Sequence, residues 1–239
     1  MTGRIGLLAR RELRAHLVMP ATYVGVAAFV LLNGISFCSY LADNDYSDTS
    51  IKGFCDSSQF LVLLLAALLT MRSLAEERSS GTWELLFTSP IRDFEVVLAK
   101  YLASLCVLTV ALLLTTFFPV LLFTFGDPDF GPIVTSYSGI FLLGAAAVAV
   151  GIFSSSLAAN QALAALLSGV ISFGLWFLGS FTGAFSESIG TLLYRISLQR
   201  HFDDFVRGII DTRAILHYFS VLAIFLFLAT RSIESGRYR

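Results

Sequence analysis

From Phe130 to Ser186 the chain runs for 57 residues without an aspartate, glutamate, lysine or arginine. At 1.5 Å per helical residue that run would measure about 85 Å as one helix, whereas a bilayer core of about 30 Å takes roughly 20 residues. It is therefore read as two crossings with a turn between them. The turn is placed in SSSLAANQ, Ser154 to Gln161, where small polar residues cluster and Asn160 is suited to cap the following helix.

Uncharged runs of spanning length recur along the rest of the chain. With 56% hydrophobic and 14% charged residues among 239, and a mean hydropathy of +0.79, lipid is the expected solvent. The reading is a single all-α membrane domain of six transmembrane helices, at about 20–42, 57–75, 97–126, 131–154, 160–184 and 213–231. The second span reaches full length only if Arg72 snorkels to the headgroups. The first apolar run is too long for a signal-peptide core and lacks a small-residue cleavage site, so it is expected to remain as a span.

Six spans put both termini on one side. That side, with the loop between spans two and three, carries Arg4, Arg10, Arg11, Arg14, Arg72, Arg78, Arg92, Lys100, Arg231, Arg237 and Arg239, against Lys52, Arg195, Arg200, Arg207 and Arg213 opposite. The excess of cations predicts cytoplasmic termini and, for a bacterial chain, the inner membrane. Cys38, Cys55 and Cys106 lack metal-ligand spacing, and ordinary apolar packing is the expected role of Cys38 and Cys55, with a disulfide the lesser alternative.

Several chemistries are excluded. No phosphate-binding Gly-x-x-x-x-Gly-Lys-Ser/Thr loop occurs, so a nucleotide site of that kind would have to come from another chain. Only Arg72 and His217 bring ionisable groups into the spans, which argues against a proton- or ion-coupled carrier. No metal set or nucleophile with a base is apparent. His201 with Asp203 and Asp204 is the one trio that an enzyme reading has to rest on, and the chain is expected not to be an enzyme.

Three polar segments flank the spans. Residues 1–19 carry a row of Ile5, Ala9, Leu13 and Leu17 against Arg10, Arg11 and Arg14, predicting an interfacial helix on membrane lipid. Within the outer segment 185–212, Phe202, Phe205, Val206, Ile209 and Ile210 recur at helical spacing, predicting one amphipathic outer helix with Asp203, Asp204 and Arg207 pointing away. The small residues of spans four and five, from Gly139 to Gly151 and from Ala158 to Gly174, are candidate surfaces for close helix packing, between copies as well as within one.

The third polar segment, EERSSGTWELLFTSPIRDFEVVLAK, covers Glu76 to Lys100 and is the most organised. Ser80 or Thr82 can cap a short helix that Pro90 ends, with Trp83, Leu86 and Phe87 on one face. Ser89 and Pro90 then open the next helix, whose first turn holds Asp93 and Glu95. Glu76 and Glu77 face Lys100 across the base of the hairpin. A helix this short does not stand alone in water, so it docks either on a cytoplasmic partner or on lipid; the residues leave both open.

The pattern of Glu76, Glu77, Arg78, Gly81, Thr82, Glu84, Leu85, Leu86, Ser89, Pro90, Ile91 and Lys100 resembles the cytoplasmic hairpin of ABC-2 type permeases. PATYVGVAAFVLLNGISF from Pro20, GIFSSSLAANQALAALLS from Gly151 and the stretch from His201 to Ser235 resemble, in order, that family's first span, its fourth-to-fifth turn and its outer helix with last span. The nearest likeness is to the short permeases of gliding-motility-like and copper-processing systems. The resemblance implies a permease subunit of an ATP-binding cassette transporter, in which Trp83, Glu84, Leu85, Leu86 and Phe87 form a coupling helix seated on a separate ATP-binding subunit. It implies ATP and magnesium on that partner, no cofactor in this chain, and a second permease copy in a homo- or heterodimer. An outer auxiliary protein is the further partner, and no nucleic acid is expected. The alternative function is a mechanotransmission scaffold that passes ATPase-driven motion to an outer protein.

Overall fold

The computed structural model describes residues 2–43, 52–79, 81, 92–126, 128–184 and 187–237. Each element is a helix: α1 (Thr2–Val18), α2 (Pro20–Asp43), α3 (Lys52–Thr70), α4 (Ala75–Ser79), α5 (Asp93–Thr115), α6 (Phe117–Phe125), α7 (Phe130–Leu157), α8 (Gln161–Phe177), a 3-10 turn (Leu178–Ala184), α9 (Glu187–Ile196), α10 (Leu198–Val206) and α11 (Thr212–Arg237). Among the described residues six segments are long and apolar enough to cross a membrane: Pro20–Asp43, Gly53–Ser79, Asp93–Thr124, Phe130–Leu157, Gln161–Phe181 and Thr212–Ser235.

The axis of the bundle is α7, which packs against α3, α5, α8, α10 and α11. Its glycines and alanines make this possible, because backbones surrounded on all sides must approach closely. A side chain at Gly151 would overlap Thr70 of α3, and a Cβ at Gly139 would come within 2.8 Å of Phe205. Gly139, Gly144 and the run Ala145 to Gly151 are all buried inside the chain, so the small residues of α7 are spent within one copy. On α8, by contrast, nothing lies within 4 Å of a Cβ added at Gly169 or Gly174.

The peripheral spans bury narrow stripes. On α2 the buried set is Thr22, Gly25, Phe29, Asn33 and Phe37, at intervals of three and four, and the remaining apolar residues face outward as lipid allows. Asn33 is satisfied within the bundle: its amide donates to Phe29 O at 2.8 Å and its oxygen accepts from Ser58 at 2.6 Å, joining α2 to α3. Cys38 is exposed and Cys55 buried, and both are free thiols.

The third span breaks at Thr116, between α5 and α6. Pro119 has no N–H to donate to Thr115 O, the carbonyl four residues back. Tyr137 of α7 takes that place, its hydroxyl donating to Thr115 O at 2.8 Å. At the fourth-to-fifth turn α7 ends at Leu157 and Asn160 caps α8, accepting from Leu163 N at 2.8 Å.

Among the described residues the outer segment holds two short helices, α9 and α10. Phe202 and Phe205 of α10 are buried and Val206 packs against the core, but α10 stops at Val206. Gly208 adopts φ +84°, which turns the chain out of helical register and leaves Ile209 and Ile210 exposed. The expectation that Ile209 shares the buried face of that helix is therefore corrected. His201, the histidine of the trio with Asp203 and Asp204, has its Nε2 3.2 Å from Arg195 O and its ring 4.3 Å from that of His217.

Candidate functional site

Charged side chains enter the bundle at the end where α1, α4 and the start of α5 meet. Asp93 opens α5 and Glu95 sits in its first turn, accepting the Arg92 N–H at 3.2 Å. Such acids complement the positive end of a helix. Arg92 is itself extended, with φ −78° and ψ 139°, and α5 begins at the next residue, Asp93.

Two turns into α5, Lys100 lies 5% exposed between two carboxylates. Its Nζ is 2.8 Å from Glu77 Oε1 and 3.2 Å from Glu12 Oε2. Glu77 belongs to α4, so this cation joins the two helices that bracket the segment 80–91. The third member, Glu12, comes from α1 and was not singled out in the sequence. Glu76 lines the adjacent cavity of about 210 Å³, together with Glu12, His16, Met19, Arg72 and Lys100.

Next along α1, His16 Nε2 is 3.4 Å from Ser104 Oγ. Burial pushes the His16 imidazole below its ordinary value; nearby Glu12 opposes that shift and Lys100 adds to it. Glu12 to Lys100 and His16 to Ser104 are both separated by 88 positions, so α1 runs beside α5 in the same direction. The half-buried stripe of α1 is Ile5, Leu8, Ala9, Glu12, Leu13 and His16, whereas Leu17 is 51% exposed. A strict row at every fourth residue drifts about 40° per step around a 3.6-residue helix, which carries the row of Ile5, Ala9, Leu13 and Leu17 off the packed face. Arg10 and Arg14 are exposed on the other side, and Arg11, also exposed, lines the cavity beside Glu76 and Glu77.

Between α3 and α4 the helix opens at Met71 to Leu74, and one side chain of α7 mends it. Ser155 Oγ accepts from Leu74 N and from Ala75 N, both at 3.0 Å, and donates to Met71 O at 3.4 Å. Buried backbone donors need such a partner, the more so at a membrane boundary. Arg72, in this opening, does not run free to the headgroups; its Nε donates to Gln161 Oε1 at 2.9 Å at the start of α8. Arg78 donates to Leu157 O at 3.3 Å, tying α4 to the end of α7.

The site is thus a braced platform on which α1, α4, α5, α7 and α8 converge, and from which the segment 80–91 leaves and returns. Trp83, Glu84, Leu85, Leu86 and Phe87 lie outside the described residues, as do Ser89 and Pro90. Among the described residues no group of three or more histidine, cysteine, aspartate or glutamate side chains is placed to hold a metal ion.

Comparison with curated proteins gives no match. The family model described as ABC-2 family transporter protein matches residues 8–230, a range that takes in α1 from Leu8, the first five spans, the sixth as far as Thr230, and the braced platform. With that match over nearly the whole chain and six helices fit to cross a membrane, the chain belongs to the ABC-2 transporter family, as a membrane-spanning permease subunit.

Proposed function

We propose that this permease couples ATP hydrolysis on a separate ATP-binding subunit to export or movement across the inner membrane, through the segment 82–91. The observation that carries the reading is the Lys100 cluster: a lysine 5% exposed and held by Glu77 and Glu12 at 2.8 and 3.2 Å, directly at the base of that segment. A push delivered at 82–91 reaches α4, α5 and α1 together through these ion pairs. It reaches α7 through Ser155. ATP and magnesium belong to the partner, the side carrying α1 and α4 faces the cytoplasm, and two permease copies, alike or different, complete the unit. In this reading Trp83, Glu84, Leu85, Leu86 and Phe87 meet the ATPase.

The test is the double variant L86D/F87D. It is expected to insert at wild-type level and to lose co-purification of the ATP-binding subunit; wild-type co-purification overturns the reading. One observation favours a second reading, in which motion is passed to an outer protein: Ile209 and Ile210 stand 55% and 59% exposed beside α10, whose Phe205 carbonyl is bonded to Thr135 of the central helix at 2.7 Å. Substrate-stimulated ATPase activity in liposomes supports transport. An outer protein that binds at Ile209 and Ile210, with no species transported, supports the second reading.

A further inference from the structure

Both α5 and α11 pack on α7, and the small side chain of Ala145 leaves room between the two where they meet it. The result is a cavity of about 260 Å³, walled by Tyr101 and Leu105 of α5, floored by Phe141 and Ala145 of α7, and closed by Tyr218 and Phe219 of α11. It lies within the depth of the spans, since Tyr101 is about two turns from the start of α5 at Asp93 and Tyr218 about two turns from the start of α11 at Thr212. Ala145, Tyr101 and Tyr218 are buried, so the cavity is an indentation of the packed bundle. Phe219 is exposed at its rim, which turns the opening towards hydrocarbon.

Every lining side chain is apolar or a tyrosine. The two tyrosines differ in what they offer. Tyr218 donates its hydroxyl to Leu198 O at 3.0 Å and leaves only its ring for the cavity. Tyr101 makes no hydrogen bond among the described residues, although it is almost wholly buried. A hydroxyl in that position has no bulk water to bond and is costly to leave unpaired, so it is a donor in want of an acceptor. An apolar cavity of about 150 Å³ takes benzene, so this one has room for a ring or a stretch of alkyl chain. It is unsuited to an ion, because no lining residue carries an opposite charge.

We propose that this cavity is a binding site for an uncharged, largely apolar molecule bearing one hydrogen-bond-accepting oxygen. The apolar body lies among Leu105, Phe141 and Phe219, the oxygen accepts from the Tyr101 hydroxyl, and entry is sideways from the hydrocarbon past Phe219. The seat touches both ends of the molecule: Tyr101 follows Lys100 of the platform in the chain, and Tyr218 is bonded to α10. Binding there requires neither the ATP-binding subunit nor transport.

The test uses the purified full chain in phosphatidylcholine nanodiscs and a photoreactive diazirine analogue of octanol, with labelled residues mapped by mass spectrometry. Labelling at 141–145 and 218–219 is expected to saturate and to be displaced by excess octanol but not by octanoate, whereas labelling at the exposed Leu113 and Leu114 of α5 rises in proportion to the probe. A145L and L105W, which fill the cavity from two different helices, are expected to remove the saturable component. Y101F keeps the space and is expected to weaken octanol about twofold to tenfold, the worth of one neutral hydrogen bond, while displacement by octane stays as in wild type. Cavity labelling that rises like that of Leu113 and Leu114, saturable labelling that survives in both filled variants, or octanoate as effective as octanol overturns the proposal. So does a Y101F variant that binds octanol like wild type, and that measurement decides the matter if a filled variant fails to fold.

Discussion

Replacing Lys100 with methionine keeps much of the side chain's volume and removes its charge. The structure sets the size of the effect. Lys100 is 5% exposed, while Glu12 and Glu77 are 22% and 25% exposed. Both carboxylates reach the same ammonium, so without it they face each other within about 6 Å, at a repulsion between 1 and 3 kcal/mol for a wet to half-buried setting. Breaking a fully buried ion pair costs about 3–5 kcal/mol; the residual exposure of both acids lets water re-enter and puts this case lower, at about 2–3 kcal/mol. For a chain of this length that is a fall of about 4–12 °C in melting temperature, read by thermal unfolding in detergent. The charge origin is separable from lost packing. E12Q/E77Q/K100M removes all three charges and is expected to melt close to wild type, since neutral replacement of a whole buried cluster is often tolerated. A K100M variant that melts like wild type refutes the argument. A triple variant as unstable as K100M alone also refutes it, because the loss would then be one of lysine stem packing.

Three further outcomes follow from the same geometry. His16 is held below its ordinary imidazole value, so the unfolded chain takes up a proton first as pH falls; the stability that neutral His16 contributes is present above about pH 6.5 and is lost as pH falls through the lowered value, and H16Q is expected to flatten that part of the stability profile. S155A leaves Leu74 N and Ala75 N without their acceptor and is expected to cost about 1–3 kcal/mol, with faster amide exchange at residues 71–75; exchange as slow as in wild type counts against Ser155 as the mend in that helix. Y137F strips Thr115 O of its donor at a similar cost, and P119A, which restores the helical N–H, is expected to relieve most of that loss in the double variant; an additive double variant contradicts the exchange of Tyr137 for the missing N–H.

How far the sequence leads differs from element to element. Span number and the turn at Asn160 are local matters, because hydrocarbon demands about 20 apolar residues per crossing and small polar residues with a capping side chain end one helix and begin the next. The stop of α10 at Val206 fell a few residues from expectation. Gly208 breaks a periodicity that runs on into Ile209 and Ile210. Apolar spacing does not register this, since it records which residues share a face and not where the backbone leaves the helix.

The platform was legible only in part. Glu77 and Lys100 flank one loop, so their pairing is a question about two neighbouring helix ends. Glu12 lies 88 positions from Lys100, among three arginines, and Ser155 lies 80 positions from the backbone it completes. By itself the sequence determined that this chain lives in a membrane, how many times it crosses and which segment stands out between the second and third spans; those follow from hydropathy and helix length, which act residue by residue. Only the tertiary structure decided that α7 is the axis, that α1 stands beside α5 and that Lys100 is shared between α1 and α4. Those contacts are set by which helices lie adjacent, and inside lipid that is governed by close fit and by the few polar groups that must find partners across the bundle.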